Sequence, residues 1–333
     1  MKKRLVYLMV AIIFTLSYTT TWAKTTIKVG YLPILDHLTL LVSHAQDNDA
    51  FKQVEIQPKL FKSWTEMVGA LQAGVIDAAF ILSPLAMDLF NHGLDIKTIL
   101  LAHRDGSAIT VKPDSSIRSA ADLKGKSIAI PDWKATHTAL LNHYLMTAGL
   151  SLKSVIAKVI APPNMIKAMK LNKIDAFIVA EPFGAKAQNE GIGKILILTK
   201  DIVANHVECI VVIKKHFLTD NPAAVQEWVD SLIRAGKWIE QDKLNSHAQQ
   251  VAKMTAKTYL PHSPETIMLG LQNPPERILY SDLNPKLADF QTIVDISKEA
   301  NILDSVDLKT FIDNQFYRDS STNETAVKPE SSP

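Results

Sequence analysis

The chain has 333 residues, 47% of them hydrophobic, and it carries 36 Lys and Arg against 34 Asp and Glu. This near balance of charge excludes the strong field typical of proteins that bind nucleic acid or anionic membranes. Cys209 is the single cysteine, so no disulfide can form within the chain. The length is sufficient for two hydrophobic cores and favours two domains.

The first 23 residues have the order of a secretory signal peptide. Basic residues 2–4 precede an uncharged, mostly apolar run from Leu5 to Tyr18, and small residues flank Trp22. The apolar run is shorter than the ~20 residues that a membrane-spanning helix needs. We therefore expect cleavage after Ala23 rather than a membrane anchor. Export without disulfides is more typical of a bacterial periplasm than of an animal secretory route, so the periplasm is the expected location.

The elements that follow alternate between strand and helix. The run Ile27–Leu32 predicts a strand, and the apolar residues from Leu38 to Val42 indicate a helix. Val54–Phe61 resembles another strand, in which Pro58 argues against a central position because proline cannot donate a ladder hydrogen bond. Next, Ser63 and Glu66 form a capping box at a helix start.

Two similar segments lie 98 residues apart and indicate two related lobes. They run from Glu66 to Pro84 and from Asn164 to Pro182. Each predicts a helix, a turn at Gly74 or Asn172 and a short apolar strand typical of burial on both faces. The matched pairs are Met67 with Met165, Ala70 with Ala168, Asp77 with Asp175 and Pro84 with Pro182. Two copies are too few for a solenoid, and we expect the paired aspartates to serve the repeated turn.

The second lobe repeats the order of the first. Strands are predicted at Ile128–Ile130 and Val155–Ile160, with a helix near Thr136–Ala148 between them. The alternation predicts an α/β fold of two lobes, each a mostly parallel sheet flanked by helices.

The chain is expected to cross between lobes near residues 103–112 and to return near 205–214. The predicted first lobe comprises residues 24–105 and 212–318, the second comprises 106–211, and the polar tail 319–333 is predicted to be disordered. The section after residue 220 is predicted to be largely helical and to pack on the first lobe. Its helices are expected from Asn221-Pro222 onward and at 246–258, 264–272, 286–301 and 307–317.

A ligand is expected where the two lobes face each other, because open parallel sheets bind ligands beyond the carboxyl ends of their strands. Aromatic walls with a few directional polar groups suit a small, partly planar or anionic ligand. The candidate residues are Pro33, Asp36, His37, Trp64 and Ser83 from the first lobe, and Trp133, Thr136, His137, Glu181 and Phe183 from the second.

Alternative interpretations stay open for several of these residues. Trp64 and Trp133 would either contact the ligand or cover the surface of their lobes. His37 and His137 are interpreted as hydrogen-bonding residues, since no motif of metal-ligand spacing is present. Residues 104–107 would form a hinge or contact the ligand, and we favour the hinge. We predict no catalytic residue, metal site or cofactor, because no GxGxxG, GxSxG or phosphate-cradling motif occurs.

The chain resembles the nitrate/sulfonate/taurine-type substrate-binding proteins of bacterial ABC transporters, a wide family that also binds thiamine-related pyrimidines. The likeness covers residues 26–235. The segments that carry it are Gly30–Ile34, His137–Leu145, Pro162–Met169, Ile174–Phe183 and Asp201–Glu208. The strongest match is the helix, Asp-containing turn, strand and Glu-Pro-aromatic ending of the third and fourth segments.

The resemblance implies a type II-like periplasmic binding protein fold, in which two lobes close around a solute and deliver it to a permease in the inner membrane. His206 stands where nitrate binders carry a ligand-contacting histidine, and Glu181 matches a position near the cleft. No residue matches the lysine that nitrate binders contribute from their later region. The implied solute is therefore either an anion like nitrate, sulfonate or bicarbonate, or a pyrimidine-like compound.

We expect a monomer that binds a small molecule without catalysis. Two other functions stay open. Some relatives of this architecture are enzymes that make pyrimidine or menaquinone precursors, and fold alone does not separate enzymes from binding proteins. A solute-sensing subunit of a membrane receptor would have the same cleft.

Overall fold

The computed structural model describes residues 23–318. The signal-peptide prediction falls on residues 1–23 and the tail prediction on 319–333, so both lie outside the described residues except at Ala23. Within this part of the chain, every helix is too short or too polar to span a membrane.

Two five-stranded sheets form the cores of the two lobes. In the described residues the strands are β1 (Thr25–Tyr31), β2 (Val54–Leu60), β3 (Ala78–Leu82), β4 (Ile96–Leu101), β5 (Arg104–Asp105), β6 (Ser107–Val111), β7 (Ser127–Ile130), β8 (Ile156–Val159), β9 (Ala176–Ala180), β10 (Lys194–Leu198), β11 (Cys209–Lys214) and β12 (Ile278–Leu279). The first sheet has the order β2-β1-β3-β11-β4, and the second has the order β10-β6-β9-β7-β8. The short strands β5 and β12 pair with each other.

Helices cover both sheets. They are α1 (Leu38–Asp47), α2 (Trp64–Gln72), α3 (Ser83–Asn91), α4 (Thr136–Met146), α5 (Pro162–Lys170), α6 (Phe183–Asn189), α7 (Lys215–Asp220), α8 (Pro222–Ser246), α9 (Gln249–Thr255), α10 (Pro264–Gln272), α11 (Leu287–Glu299) and α12 (Leu308–Phe311). Short 3-10 turns occur at Leu35–His37, Ala121–Leu123, Leu152–Ser154, Thr199–Asp201 and Pro275–Arg277.

Each sheet has four strands in one direction and one strand that runs against them. In the first sheet β11 pairs antiparallel with β3 and β4, and in the second β6 pairs antiparallel with β9 and β10. The prediction of a two-lobed α/β fold with mostly parallel sheets is confirmed. The predicted edge position of the strand that holds Pro58 is confirmed as well, since β2 lies at the edge of its sheet.

The two antiparallel strands are the segments that we interpreted as linkers. The chain leaves the first sheet after β4, passes through the short strand β5 and enters the second sheet as β6. After β10 it returns to the first sheet as β11. Strand β6 is fully buried and β11 is buried except at Lys214. Both are rich in β-branched residues, which favours a strand over a linker. The return is at Cys209, three residues before the predicted boundary at 212. The other lobe boundaries stay a prediction.

The repeated aspartates occupy equivalent places in the two lobes. Asp77 accepts a hydrogen bond from the backbone N–H of Lys28 at 2.9 Å. Asp175 accepts one from the backbone N–H of Ser127 at 2.8 Å. Lys28 lies in β1 and Ser127 in β7. Each carboxylate therefore links the turn before a central strand, β3 or β9, to the strand beside it. This confirms the interpretation of the pair as residues of the repeated turn.

The C-terminal helices contact both lobes rather than the first lobe alone. Helix α8 packs on α1, whereas α10 contacts α6 and α11 contacts α4 of the second lobe. The last helix is shorter than predicted and ends at Phe311. Beyond it, Ile312 forms an isolated bridge with Thr98, and Asp313 donates its backbone N–H to the Thr98 carbonyl at 2.8 Å. Pairing with the edge of the first sheet therefore replaces the last predicted helical turns.

Candidate functional site

The carboxyl edges of the two sheets face each other across a closed cleft. The loop after β1 meets the loop after β9, since the Leu35 N–H donates to the Glu181 carbonyl at 2.7 Å. The Glu208 carbonyl, just before β11, accepts from the Ser83 N–H at 2.9 Å and from the Thr136 hydroxyl at 3.3 Å. Because β6 and β11 run antiparallel to their neighbours, the first residues of these two strands lie at the carboxyl edges of the two sheets. The crossings therefore place side chains directly in the cleft.

Glu208 is the centre of one buried network. Its Oε1 lies 2.9 Å from His137 Nε2 and its Oε2 lies 3.1 Å from His206 Nε2, and the Ser107 hydroxyl donates to it as well. All four side chains are buried. Although burial opposes ionisation, the neighbouring His137 and His206 rings hold the pKa of Glu208 well below its usual range.

His206 is held by acceptors on both ring nitrogens. Its Nδ1 lies 2.9 Å from Asp105 Oδ1 and 2.7 Å from the Val203 carbonyl, while its Nε2 faces Glu208. Burial disfavours the charged ring, but the hydrogen bonds to Asp105 and Glu208 raise the pKa of His206 to about 10. Protein groups thus occupy both nitrogens of the histidine that the resemblance placed against the ligand, and its ligand contact stays a prediction.

A second cluster joins Asp36, His103 and Cys209 at the edge of the first sheet. Asp36 Oδ2 lies 3.2 Å from His103 Nε2 and 3.6 Å from Cys209 Sγ, and all three residues are fully buried. Burial raises the pKa of Asp36 to about 6. Burial opposes charge on His103, but the Asp36 carboxylate raises the pKa of that ring. Burial, with Asp36 nearby, raises the pKa of the Cys209 thiol well above its ordinary value.

Arg277 and Glu181 form a buried ion pair between the C-terminal section and the second lobe. The Arg277 guanidinium lies 3.0 Å from Glu181 Oε1, with both side chains at most 1% exposed. Glu181 Oε2 accepts from the Ala185 N–H at 2.8 Å. The Nε and Nη1 atoms of Arg277 have no hydrogen-bond partner among the described residues. Buried polar groups are rarely left unpaired, so Arg277 offers free donors in the interior of the cleft.

Among the predicted residues of the first lobe, His37 and Trp64 are packed inside. His37 Nδ1 accepts from the Leu32 N–H at 2.9 Å, and its ring makes edge contacts with Trp64 and Phe80. Burial lowers the pKa of His37 well below its ordinary value, so the ring is neutral with its proton on Nε2. Trp64 is only 1% exposed, which corrects the alternative that it covers the lobe surface.

The remaining predicted residues are more dispersed. Pro33 accepts from His262 Nε2 at 2.9 Å through its carbonyl, and Phe183 contacts the His262 ring edge-on. Ser83 is buried beside the return crossing. Trp133 is 50% exposed. The structure therefore brings Asp36, His137, Glu181 and His206 into the buried cleft and leaves Trp133 half in solvent.

A separate groove opens between the lobes where β2 and β8 end. It encloses about 520 Å³. Its lining residues are Pro33, Leu60, Phe61, Lys62, Ser63, Glu66, Ala161, Pro163, Asn164 and Pro261. Of the predicted ligand-binding residues, Pro33 alone is in this set. The two lobes thus share a buried polar cleft and an open, mostly apolar groove.

Sequence reasoning did not select several polar residues of the cleft as ligand-binding candidates. Those residues are His103, Asp105, Ser107, Glu208, Cys209 and Arg277. The first five flank the two crossings, which we interpreted as hinge and linker. Their unusual density of His, Asp, Glu and Cys within two short segments was the available indication. The proposed hinge role of residues 104–107 stays a prediction, and the structure shows Arg104 paired with Asp289 at 2.6 Å.

A model of the NMT1-like family matches residues 21–256. The chain belongs to the NMT1-like family. It is 25% identical over 236 residues to the nitrate/nitrite binding protein NrtA of Nostoc sp., which is 64% of this chain and 54% of that protein. This member of the NMT1-like family thus spans about half the length of the curated relatives that it matches.

Solved structures show the same fold. The ligand binding component of an ABC-type import system from Staphylococcus aureus, with zinc bound, has a TM-score of 0.79 at 23% identity over 88% of this chain and 98% of that one. The alkanesulfonate-binding protein SsuA from Xanthomonas axonopodis pv. citri, bound to MOPS, has a TM-score of 0.74 at 20% identity over 88% and 99%. The desulfurization enzyme DszB shares the fold too, with a TM-score of 0.63 at 17% identity over 88% and 97%. The expected resemblance to nitrate- and sulfonate-type binding proteins is confirmed.

Proposed function

We propose that this protein captures a small solute between its lobes in the periplasm and delivers it to the permease of an ABC importer, without a chemical reaction. The observation that carries the proposal is the set of buried polar atoms without a hydrogen-bond partner that converges on the cleft from both lobes. They belong to Asp36, His103, His137 and Arg277. Because unpaired buried groups are costly, their concentration in one cleft indicates a place that a polar ligand completes.

The similarity to nitrate- and sulfonate-type binding proteins supports this proposal at the level of the family. The cleft differs from a simple anion cradle, however, because Asp36, Glu181 and Glu208 add three buried carboxylates to the cationic Arg277 and His206. The mixture favours a small solute that carries both donors and acceptors, or positive as well as negative charge. A nitrate-, bicarbonate- or sulfonate-like anion and a pyrimidine-like compound are the classes to compare.

The contacts across the cleft are suited to reversible closure. Lys134 of the second lobe lies 3.0 Å from Asp88 of the first, and His143 lies 3.0 Å from Glu299. These pairs are partly exposed, and exposed ion pairs contribute only about 0–1 kcal/mol each. A solute that bonds to groups of both lobes would therefore decide the balance between open and closed forms.

An enzyme on the same fold is the main rival. Cys209 is the one thiol that could act as a nucleophile, but its buried position disfavours the thiolate that such chemistry needs. Its sulfur also lies 3.6 Å from Asp36 Oδ2, and this carboxylate, after burial, raises the pKa of the thiol further. Mass spectrometry of a bound solute after long incubation should recover it unchanged, and a modified product would overturn the non-catalytic proposal.

The test is a search for solutes that stabilise and close the protein. Nitrate, bicarbonate, an alkanesulfonate and an aminopyrimidine are each added while melting temperature and small-angle scattering are measured. A solute at about 100 times its Kd should add roughly 2.7 kcal/mol of stability and reduce the radius of gyration.

The matched variants are Arg277→Gln, which removes the buried cation, and Arg234→Gln, which removes a 61% exposed arginine far from the cleft. Solute stabilisation should be lost in the first variant and kept in the second. Equal solute stabilisation in both variants, or no stabilisation by any solute tested, would contradict the proposal.

A further inference from the structure

We propose that Asp36, His103 and Cys209 bind one divalent transition metal ion of the zinc class. The inference rests on the proposed function, because the bound ion would be the captured solute or the part of the solute that these three side chains contact. The three residues come from the loop after β1, the end of β4 and the start of β11. All three positions lie at the carboxyl edge of the first sheet and face the second lobe.

The spacing of the three side chains fits tetrahedral coordination. Zinc binds nitrogen or oxygen at about 2.0–2.1 Å and sulfur at about 2.3 Å, so a tetrahedral site separates an N/O pair by about 3.3 Å and an S/O pair by about 3.6 Å. The Asp36 Oδ2 to His103 Nε2 distance is 3.2 Å, and the Asp36 Oδ2 to Cys209 Sγ distance is 3.6 Å. One donor atom from each residue lies within 4.8 Å of the other two. The two separations from Asp36 Oδ2 therefore match those of a tetrahedral zinc site.

Two polar contacts converge on His103 Nε2. The Cys209 backbone N–H points at His103 Nε2 from 3.3 Å, which requires a lone pair there. Asp36 Oδ2 lies 3.2 Å from the same nitrogen, so one proton is shared between the ring and the carboxyl group. An ion bound between Asp36 Oδ2 and His103 Nε2 would take the place of that proton, because each atom can direct a lone pair towards it.

Charge balance favours a divalent ion. Coordination by a thiolate and a carboxylate supplies two negative charges, and the imidazole is neutral, so the site with its ion has no net charge. That balance matters because all three residues are fully buried, where an uncompensated charge is expensive. The donor set of one soft sulfur, one imidazole nitrogen and one carboxylate oxygen suits zinc and its neighbours rather than magnesium or calcium.

Three protein donors leave one position of a tetrahedron open. A site of this kind accepts water or a group from the solute as its fourth ligand. Gly106 lets the backbone pass close to the cluster, since a Cβ there would lie only 3.2 Å from both Asp36 Oδ1 and His103 Nδ1. Both of these atoms are buried without a hydrogen-bond partner. Three donors among the described residues would leave an ion one position for water or a group of the solute.

The single cysteine makes a spectroscopic test specific. Titration of the purified, metal-free protein with Co²⁺ should produce a near-ultraviolet thiolate-to-cobalt charge-transfer band and the visible bands of tetrahedral cobalt, saturating at one ion per chain. Any thiolate band must come from Cys209. Zn²⁺ should displace the cobalt, and calorimetry should show proton release on zinc binding because the thiol loses its proton.

Three variants test the ligands one at a time. Cys209→Ser should abolish the charge-transfer band, and Cys209→Ser, His103→Gln and Asp36→Asn should each weaken zinc binding by more than about 100-fold. His92→Gln, at a ring that is 75% exposed, is the control and should bind like wild type. Melting curves without metal show whether each variant is folded, and the near-isosteric Asp36→Asn keeps the test valid if another variant is not.

The outcomes separate this inference from the proposed function. No thiolate band, or zinc binding that is unchanged in both Cys209→Ser and His103→Gln, would overturn the metal site. If nitrate, bicarbonate, the sulfonate or the pyrimidine still stabilised that same protein, solute capture would stand without metal. Zinc binding that depends on Cys209, with no change in the radius of gyration, would support the metal site and count against capture by lobe closure.

Discussion

The buried His206 imidazolium should make the stability of this protein fall as pH rises from about 6.5 to about 10. Its pKa is about 10 in the folded protein, against about 6.5 in the unfolded chain. A raised folded pKa contributes stability that is fully present below pH 6.5 and is lost as pH passes through the folded pKa. Since each pKa unit corresponds to 1.36 kcal/mol, the contribution is at most about 5 kcal/mol. Part of it belongs to the partner carboxylates Asp105 and Glu208.

The perturbation is His206→Gln, measured by urea unfolding of the variant and wild type at intervals from pH 6 to pH 10. At pH 6 the variant should be less stable by about 3–5 kcal/mol, because two buried carboxylates lose their cation. The difference should shrink towards pH 10. His92→Gln should show neither effect, since its ring is exposed. Parallel pH profiles for wild type and His206→Gln would refute the assignment of a charged His206.

Two further predictions concern the frame that holds the cleft. Phe80→Ala should lower the free energy of unfolding by about 3–5 kcal/mol, because Phe80 is fully buried in β3 and packs against His37. Urea denaturation measures this free energy of unfolding. A loss below about 1 kcal/mol would contradict the close packing of Phe80 in the core. Ser63→Ala should cost about 1 kcal/mol, because the Ser63 hydroxyl accepts from the Glu66 N–H at the start of α2. An unchanged melting temperature would show that this cap contributes nothing.

Much of the fold could be predicted because its determinants are local. The capping box at Ser63 and the buried runs of β3 and β9 act over a few neighbouring positions. The paired aspartates at 77 and 175 were recognisable because they recur at one fixed offset. The strands β6 and β11 were missed as strands, since their direction and their partners depend on which sheet the chain has reached, which no short window contains.

The candidate site was predicted only in part, for the same physical reason. Asp36, His137, Glu181 and His206 were singled out because they lie in loops after predicted strands or in the family resemblance. Arg277 was missed because it reaches the cleft from a section almost 100 residues beyond Glu181 in the chain. Neither the spacing nor the composition of the sequence indicates that these two side chains pair at 3.0 Å.

By itself, the sequence determined the type and order of the elements and the division into two related lobes, because periodicity, caps and turn residues act between near neighbours. The tertiary structure decided which side chains share the buried cleft. Asp36, His103 and Cys209 lie 67 and 106 residues apart along the chain, yet their donor atoms lie within 4.8 Å of one another. Two sheets with facing carboxyl edges, joined by strands that start at those edges, bring such distant residues together.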